Sequence, residues 1–437
     1  MPGRVRAATR RLRPTRLTAW PQLPSRLRSR RSRVLVFLGL LGPGLIAANA
    51  GNDAGGIATY SEVGAKYGYT LLWAMVLITV SLALVQRAAA RMGTVTGKGL
   101  AELIRERYGI RWSAFATLAV LVANFGICIS DFVGVGAALG LAGIPPQVSV
   151  PIAALGIWLI IVRGSYRSAE RVFIWLTIPF FAYPVAAILA HPDWGEVGHA
   201  LVVPQVHTSS TFLLLFVAMA GTTITPYMQL YLQSATVERG TPEEDLPNEQ
   251  RQAVAGAIFA DLIAASIIIA TAATLYEHGI HSISSAADAA KSLTPFAGQY
   301  AEALFGIGLL GASLLACAIL PIATSYVVSE SLGFEKGLGR TPGEAPVFVG
   351  LITAMIAVAT VVAAIPGIPV INLLVGVQVV NGVLLPINLC FIWRLSRSDK
   401  LMGAHRNKGA LDGLAAITVV VSSTLSTILV AVTVLGL

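Results

Sequence analysis

Asp53 lies in the stretch LIAANAGNDAGGIATYSEVG, residues 45–64, where apolar sequence runs in from Val34 and resumes as far as Tyr67. A carboxylate at membrane depth is costly and marks a functional site by default. Asn49 and Asn52 flank it, and Ala54, Gly55 and Gly56 follow; two adjacent glycines weaken a helix. A second break stands in FVAMAGTTITPYMQLYLQSATVERG, residues 216–240, where Thr222, Thr223 and Thr225 precede Pro226. Proline has no N–H to give and turns Thr225 away from helical geometry. An unwound backbone leaves carbonyls that hydrocarbon cannot satisfy. Carbonyl, hydroxyl and carboxylate oxygens together are hard donors, suited to a cation. The alternative role for Asp53 is an N-cap on the helix that resumes at Ala54, and one side chain can serve both purposes.

The surrounding elements make that depth a membrane. The chain has 437 residues, 55% hydrophobic and 12% charged, where soluble chains carry about 25% charged residues. Apolar stretches of near 20 residues recur throughout, long enough to cross about 30 Å of hydrocarbon. Eleven spans are expected, roughly at 34–66, 70–87, 112–141, 147–163, 171–190, 210–237, 252–276, 297–331, 345–364, 369–394 and 410–435. The first and sixth are long and interrupted. Counting five spans on from the first reaches the sixth, so corresponding helices are broken in two five-span halves, the pattern of an inverted-repeat transporter. The domain plan is a basic tail, 1–33, then a transmembrane domain, 34–437. That domain comprises repeat one (34–190), repeat two (210–394) and an extra helix (410–435).

Lysine and arginine set the orientation. With the N-terminus in the cytoplasm, eleven arginines lie in the tail, and of the 31 basic residues only Lys66 and Lys291 fall outside. Eleven spans then put the C-terminus outside. The acid-free tail accounts for the net charge of +9; it reads as an arm drawn to anionic lipid heads, with no nucleic-acid partner implied. SRRSRVLVFLGLLGPGLIAANA also has the layout of a cleavable secretory signal, but cleavage would remove the first span and put Asp53 outside the membrane. Cys128, Cys317 and Cys390 all fall within spans and read as small apolar packing. His278 and His281, three apart in an outer loop, lack a third ligand for a metal. No phosphate-cradling loop, metalloprotease motif or Ser-His pair is present, so an enzyme is not indicated.

GPGLIAANAGNDAGG, RAAARMGTVTGKGLAELIRERYG (87–109), HPDWGEVGHALVVPQV (191–206), LFGIGLL (304–310) and LLVGVQVVNGVLLPINL (373–389) occur in that order. Together they resemble the Nramp family of divalent-metal transporters over nearly the whole of residues 34–435. The resemblance implies an all-α LeuT-type 5+5 inverted repeat with helices 1 and 6 broken, no cofactor, and a transported divalent ion. It implies ligands at the Asp53 carboxylate, the Ala50 carbonyl, the Thr222 carbonyl and the Thr225 hydroxyl. Gln378 aligns with a tenth-helix glutamine that contacts ion or water; its other role is a hydrogen bond to Asn381 or to backbone. Asn49 and Asn52 would orient Asp53.

The departures are informative. The family's Asp-Pro-Gly-Asn reads Asp53-Ala54-Gly55-Gly56 here, and its Met-Pro-His reads Thr225-Pro226-Tyr227. A histidine further along the sixth helix becomes Gln233. Two third-helix acids linked with proton movement align with Cys128 and Asp131. Losing an amide and a thioether leaves a roomier, harder site, which suits a partly hydrated Mg²⁺ and also Mn²⁺. This pattern resembles the Nramp-related magnesium transporters. Met228 restores softness if its sulfur turns inward, although packing is the commoner role for methionine. Glu62 would draw cations to the outer mouth or lie at the interface. Asp131 and Asp261 would relay protons or pair with a polar neighbour, and Glu330 reads as interfacial.

The expectation is therefore a secondary transporter in a bacterial inner membrane. It would move Mg²⁺ or Mn²⁺ inward by alternating access, weakly coupled or uncoupled to protons, with lipids and metal ions as its only evident partners. The alternatives are proton-coupled Mn²⁺/Fe²⁺ uptake and, in another cargo class, an amino-acid carrier.

Overall fold

The computed structural model describes residues 51–163, 178–291 and 301–435. All are helix or connection. The elements are α1 (Ala54–Tyr67), α2 (Leu72–Thr96), α3 (Leu100–Tyr108), α4 (Ile110–Gly140), α5 (Pro146–Arg163), α6 (Ala182–Leu189), α7 (Trp194–Val202), α8 (Ser210–Thr223), α9 (Pro226–Arg239), α10 (Leu246–Thr271), α11 (Ala286–Ala290), α12 (Ala301–Leu332), α13 (Pro346–Ala363), α14 (Val370–Ser396), α15 (Asp399–Met402) and α16 (Ala410–Leu435). Among the described residues, nine segments are long and apolar enough to cross a membrane, taking α8 and α9 as one. The expected first and fifth spans are described only in part. Residues 34–50, with Asn49 and Ala50, and the tail 1–33 lie outside the described residues.

The helix ends follow local chemistry. Ser209 caps α8 by accepting from the Phe212 amide at 3.2 Å. Gly97 and Gly240, both at φ +62°, close α2 and α9 in the left-handed conformation that a side chain disfavours. Pro226 opens α9 at its first position, where a missing N–H costs nothing. The sixth span is therefore two helices, with Ile224 (φ −107°, ψ 45°) and Thr225 between them.

In lipid, helices associate through close backbone approach at small residues. α8 and α14 meet this way: a Cβ on Gly221 would lie 2.4 Å from the Gly382 nitrogen, and one on Gly382 would lie 2.3 Å from the Val217 carbonyl oxygen. α1 packs along α10, where a Cβ on Gly64 would meet the Thr271 hydroxyl at 2.0 Å. The outward faces are apolar, as at Leu77, Leu118, Ile152 and Val420, and require a hydrocarbon solvent rather than water.

The polar connector 238–251 is partly helical. α10 begins at Leu246, and Glu249 in its first turn is buried against Arg239 at 2.9 Å. Glu330, expected at the interface, is 3% exposed. It accepts from the Ser234 hydroxyl at 2.8 Å and pairs with Lys336 at 3.0 Å. Residue 99 is glycine beside it, because a Cβ there would lie 2.0 Å from the carboxyl group.

Candidate functional site

Asp53 is fully buried at the start of α1. Its Oδ1 accepts from the Gly56 amide at 2.6 Å, the N-cap geometry. The Ala54 amide is taken by Asp131 Oδ1 from α4 at 3.1 Å. Two carboxylates thus satisfy donors that a helix start leaves open, and both sit at its positive pole. The cap role expected for Asp53 is present. The Gln378 amide, from α14, donates to Asp53 Oδ1 at 3.0 Å and to Oδ2 at 3.2 Å. Asn381 steadies Gln378: its Nδ2 lies 3.4 Å from Gln378 Oε1 and donates to the Gly221 carbonyl at 2.6 Å. Of the roles expected for Gln378, the contact with Asn381 is present, and the amide also reaches Asp53.

The glycines answer to these contacts. A Cβ on Gly55 would lie 2.3 Å from Gln378 Nε2. A Cβ on Gly56 would stand among three oxygens: Gly51 O at 2.7 Å, Thr222 Oγ1 at 2.9 Å and Asp53 Oδ1 at 3.3 Å. The first and sixth spans therefore meet at residue 56, where the missing side chain lets oxygens converge.

The sixth-span side is built from threonines. Thr222 Oγ1 donates to the Gly51 carbonyl at 3.3 Å, and Thr225 Oγ1 donates to the Thr222 carbonyl at 2.6 Å. Thr225 thus spends its hydrogen on the carbonyl expected beside it as a ligand, while the lone pairs of both oxygens remain. The Tyr60 hydroxyl meets Thr223 Oγ1 at 2.8 Å. The C-terminal end of α8 brings open carbonyls and the negative pole of a half-helix toward the site, the arrangement that favours a cation.

Met228 keeps the packing role expected for it, within the buried apolar core, and its sulfur also comes near the site. It is fully buried, and a Cβ on Gly51 would lie 3.2 Å from its Sδ and 3.1 Å from the Thr222 carbonyl oxygen. The thioether stands at the edge of the oxygen cluster. The reason is geometric: α9 starts at Pro226, and a helical side chain leans toward the turn before it.

Other expected residues lie further off. Asn52 donates to the Ala260 carbonyl at 2.9 Å, facing α10 and not Asp53. Glu62 Oε2 accepts from the Ile283 amide at 3.1 Å, in the loop after α10. Gln233 donates to the Lys98 carbonyl at 2.8 Å in the loop after α2. Tyr227 is buried at the start of α9, and Asp261 is buried on α10 with its Oδ2 unpartnered. Cys128 is buried one turn before Asp131 on α4. His281 packs edge-on against Tyr276, and among the described residues no three His, Cys, Asp or Glu side chains could hold a metal together. Sequence reasoning missed the Gly51 carbonyl and the cap that Asp131 provides. No local pattern marks a backbone oxygen aimed across helices.

A family model described as natural resistance-associated macrophage protein-like (Nramp) matches residues 44–432. The divalent metal cation transporter MntH of Deinococcus radiodurans is 29% identical over 337 residues, which cover 74% of this chain and 76% of that protein. The MntH of Ralstonia nicotianae is 30% identical over 399 residues, covering 85% and 86%. Among solved structures, the manganese transporter of Eremococcus coleocola superposes with a TM-score of 0.73 at 20% identity, covering 92% of this chain and 87% of that one. MhsT in complex with L-phenylalanine gives a TM-score of 0.60 at 13% identity, covering 89% and 97%. Likeness at such identities is likeness of fold: the architecture is all-α and of LeuT type.

Proposed function

Because the chain belongs to the Nramp family, we propose that it is a secondary transporter that carries a hard, partly hydrated divalent cation, Mg²⁺ or Mn²⁺, into the cytoplasm by alternating access. Its relatives named MntH are divalent metal cation transporters, and the cargo class is drawn from them. The observation that carries the choice of ion is the convergence of Gly51 O, Thr222 Oγ1 and Asp53 Oδ1 around Gly56. One carboxylate with neutral oxygens suits an ion that keeps much of its water. The ligands in this reading are Asp53, Thr222, Thr225 and Gln378, with Ala50 from the segment before Gly51.

Transport is weakly coupled or uncoupled to protons. Cys128 stands where an acid would support a proton path, and Asp131 is engaged as a helix cap. A dication moving inward gains about 4.6 kcal/mol per 100 mV of membrane potential, enough to drive uptake without a proton. The frame is two repeats, 34–190 and 210–394, in a bacterial plasma membrane, with the N-terminus inside and the C-terminus outside.

Met228 supports a second reading, proton-coupled Mn²⁺/Fe²⁺ uptake, because a thioether at the site edge is a soft donor. Proteoliposomes separate the two. The hard-ion reading expects Mg²⁺ to compete with Mn²⁺ uptake, and metal influx to leave an internal pH dye unchanged. Competition by Cd²⁺ or Fe²⁺ far exceeding that by Mg²⁺, together with acidification, would establish the second reading instead.

A further inference from the structure

Among the described residues five acids are buried: Asp53, Asp131, Glu249, Asp261 and Glu330. Four have evident partners. Asp53 takes Gly56 and Gln378, Asp131 takes Ala54, Glu249 takes Arg239, and Glu330 takes Ser234 and Lys336. Asp261 is 5% exposed, no lysine or arginine pairs with it among the described residues, and its Oδ2, like Asp131 Oδ2 and Glu330 Oε2, has no hydrogen-bond partner. Its neighbouring donor is the Thr79 hydroxyl, whose hydrogen is shared with the Met75 carbonyl at 2.7 Å. A buried carboxylate oxygen left without a donor is costly and calls for a reason.

Its position supplies one. Two contacts set the register of α1 against α10: Asn52 Nδ2 reaches Ala260 O, and Gly64 faces Thr271. Twelve residues separate the first pair of positions and eleven the second, so the helices run alongside each other in step. Asp261 is therefore level with Asp53. Tyr60 lies within electrostatic range of both acids, with its hydroxyl on Thr223.

We propose that Asp261 is the outer-sphere carboxylate for the transported ion. It accepts hydrogen bonds from water molecules that the ion keeps, directly or through the Tyr60 hydroxyl, while Asp53 binds the ion itself. This rests on the transport reading above and sharpens it: the cargo recognised is a divalent ion together with its water. Ion-bound water is a strong donor, and the unpartnered Asp261 Oδ2 is an acceptor suited to it. The two acids also match the two charges of the ion. Mg²⁺, which dehydrates reluctantly, depends on such an acceptor more than a softer ion that sheds water readily.

The test is uptake of Mg²⁺ and of Cd²⁺ by full-length protein in liposomes, comparing wild type with Asp261→Asn, Asp261→Glu and Asp53→Ala. Asp261→Asn is expected to raise KM for Mg²⁺ about tenfold, with Vmax within threefold and KM for Cd²⁺ changed less than threefold. Asp261→Glu, which returns the charge, is expected to recover most of the Mg²⁺ loss. A merely structural role would depress both metals alike. The proposal is overturned if Asp261→Asn leaves KM for Mg²⁺ within twofold of wild type, or shifts both metals equally. If Asp261→Asn does not fold, Asp261→Ser takes its place, with the same Mg²⁺-selective rise in KM expected; an equal shift for the two metals overturns the idea. Asp53→Ala is a separate arm: uptake that survives it removes the central site, whatever happens at 261.

Discussion

Gln378 and Asp53, 325 positions apart, meet through a single amide nitrogen that donates to both carboxylate oxygens, at 3.0 and 3.2 Å. The contact ties α14 to the start of α1 at the point where charge is buried. It also sets a competition, because an ion that binds Asp53 must take an oxygen that the amide now holds. A hydrogen bond to a charged group is worth about 1.5–3 kcal/mol, so this competitor is comparable with a tenfold to hundredfold change in affinity.

Gln378→Glu replaces that donor by an acceptor and adds a charge facing the ion. Equilibrium Mn²⁺ binding, measured by calorimetry in detergent, is expected to tighten about tenfold, and turnover is expected to fall because release slows. Affinity that is unchanged or weaker would place the ion away from the Asp53–Gln378 contact.

Gly56→Ala inserts a methyl group among Gly51 O, Thr222 Oγ1 and Asp53 Oδ1, at 2.7, 2.9 and 3.3 Å. Overpacking of this kind costs about 1–3 kcal/mol. The site oxygens must spread, so Mn²⁺ uptake is expected to drop more than tenfold in a protein that still purifies as wild type does. Normal uptake by this variant would show that the three oxygens need not converge for transport.

Met228→Leu removes the sulfur and keeps the volume. If oxygens hold the cargo, KM for Mn²⁺ should move less than threefold, while Cd²⁺ binding should weaken about tenfold, because only the soft ion gains from a thioether. Equal losses for both ions would make Met228 a ligand of the physiological cargo.

Lys336 lies 3.0 Å from Glu330 and 3.6 Å from Glu102, which places it at the junction of α3, α9 and α12. Lys336→Met strands a buried carboxylate, and leaving such a group unpaired costs about 2 kcal/mol. The apparent melting temperature in detergent is expected to fall, and Glu330→Gln in the same chain is expected to recover most of the loss. A double variant no more stable than Lys336→Met would mean that the pair contributes little.

Several elements were legible in the sequence. Apolar run length marks the helices, because bilayer thickness sets a minimum length that no packing detail alters. Pro226 and the threonines before it mark the sixth-span break, because a missing amide hydrogen is a local property. Asp53 stands out because charge at membrane depth is rare. Only the tertiary structure decided which groups share a point in space. Gly51, Thr222 and Met228 converge across two spans, Asp131 reaches over from α4 to cap α1, and Asn52 turns away to Ala260. It also showed Glu330 to be buried and Asp261 Oδ2 to lack a partner. These facts depend on the rotation and register of helices against one another. Rotation and register follow from the summed fit of many small contacts, such as Gly221 against Gly382, and no single residue in the sequence states that sum.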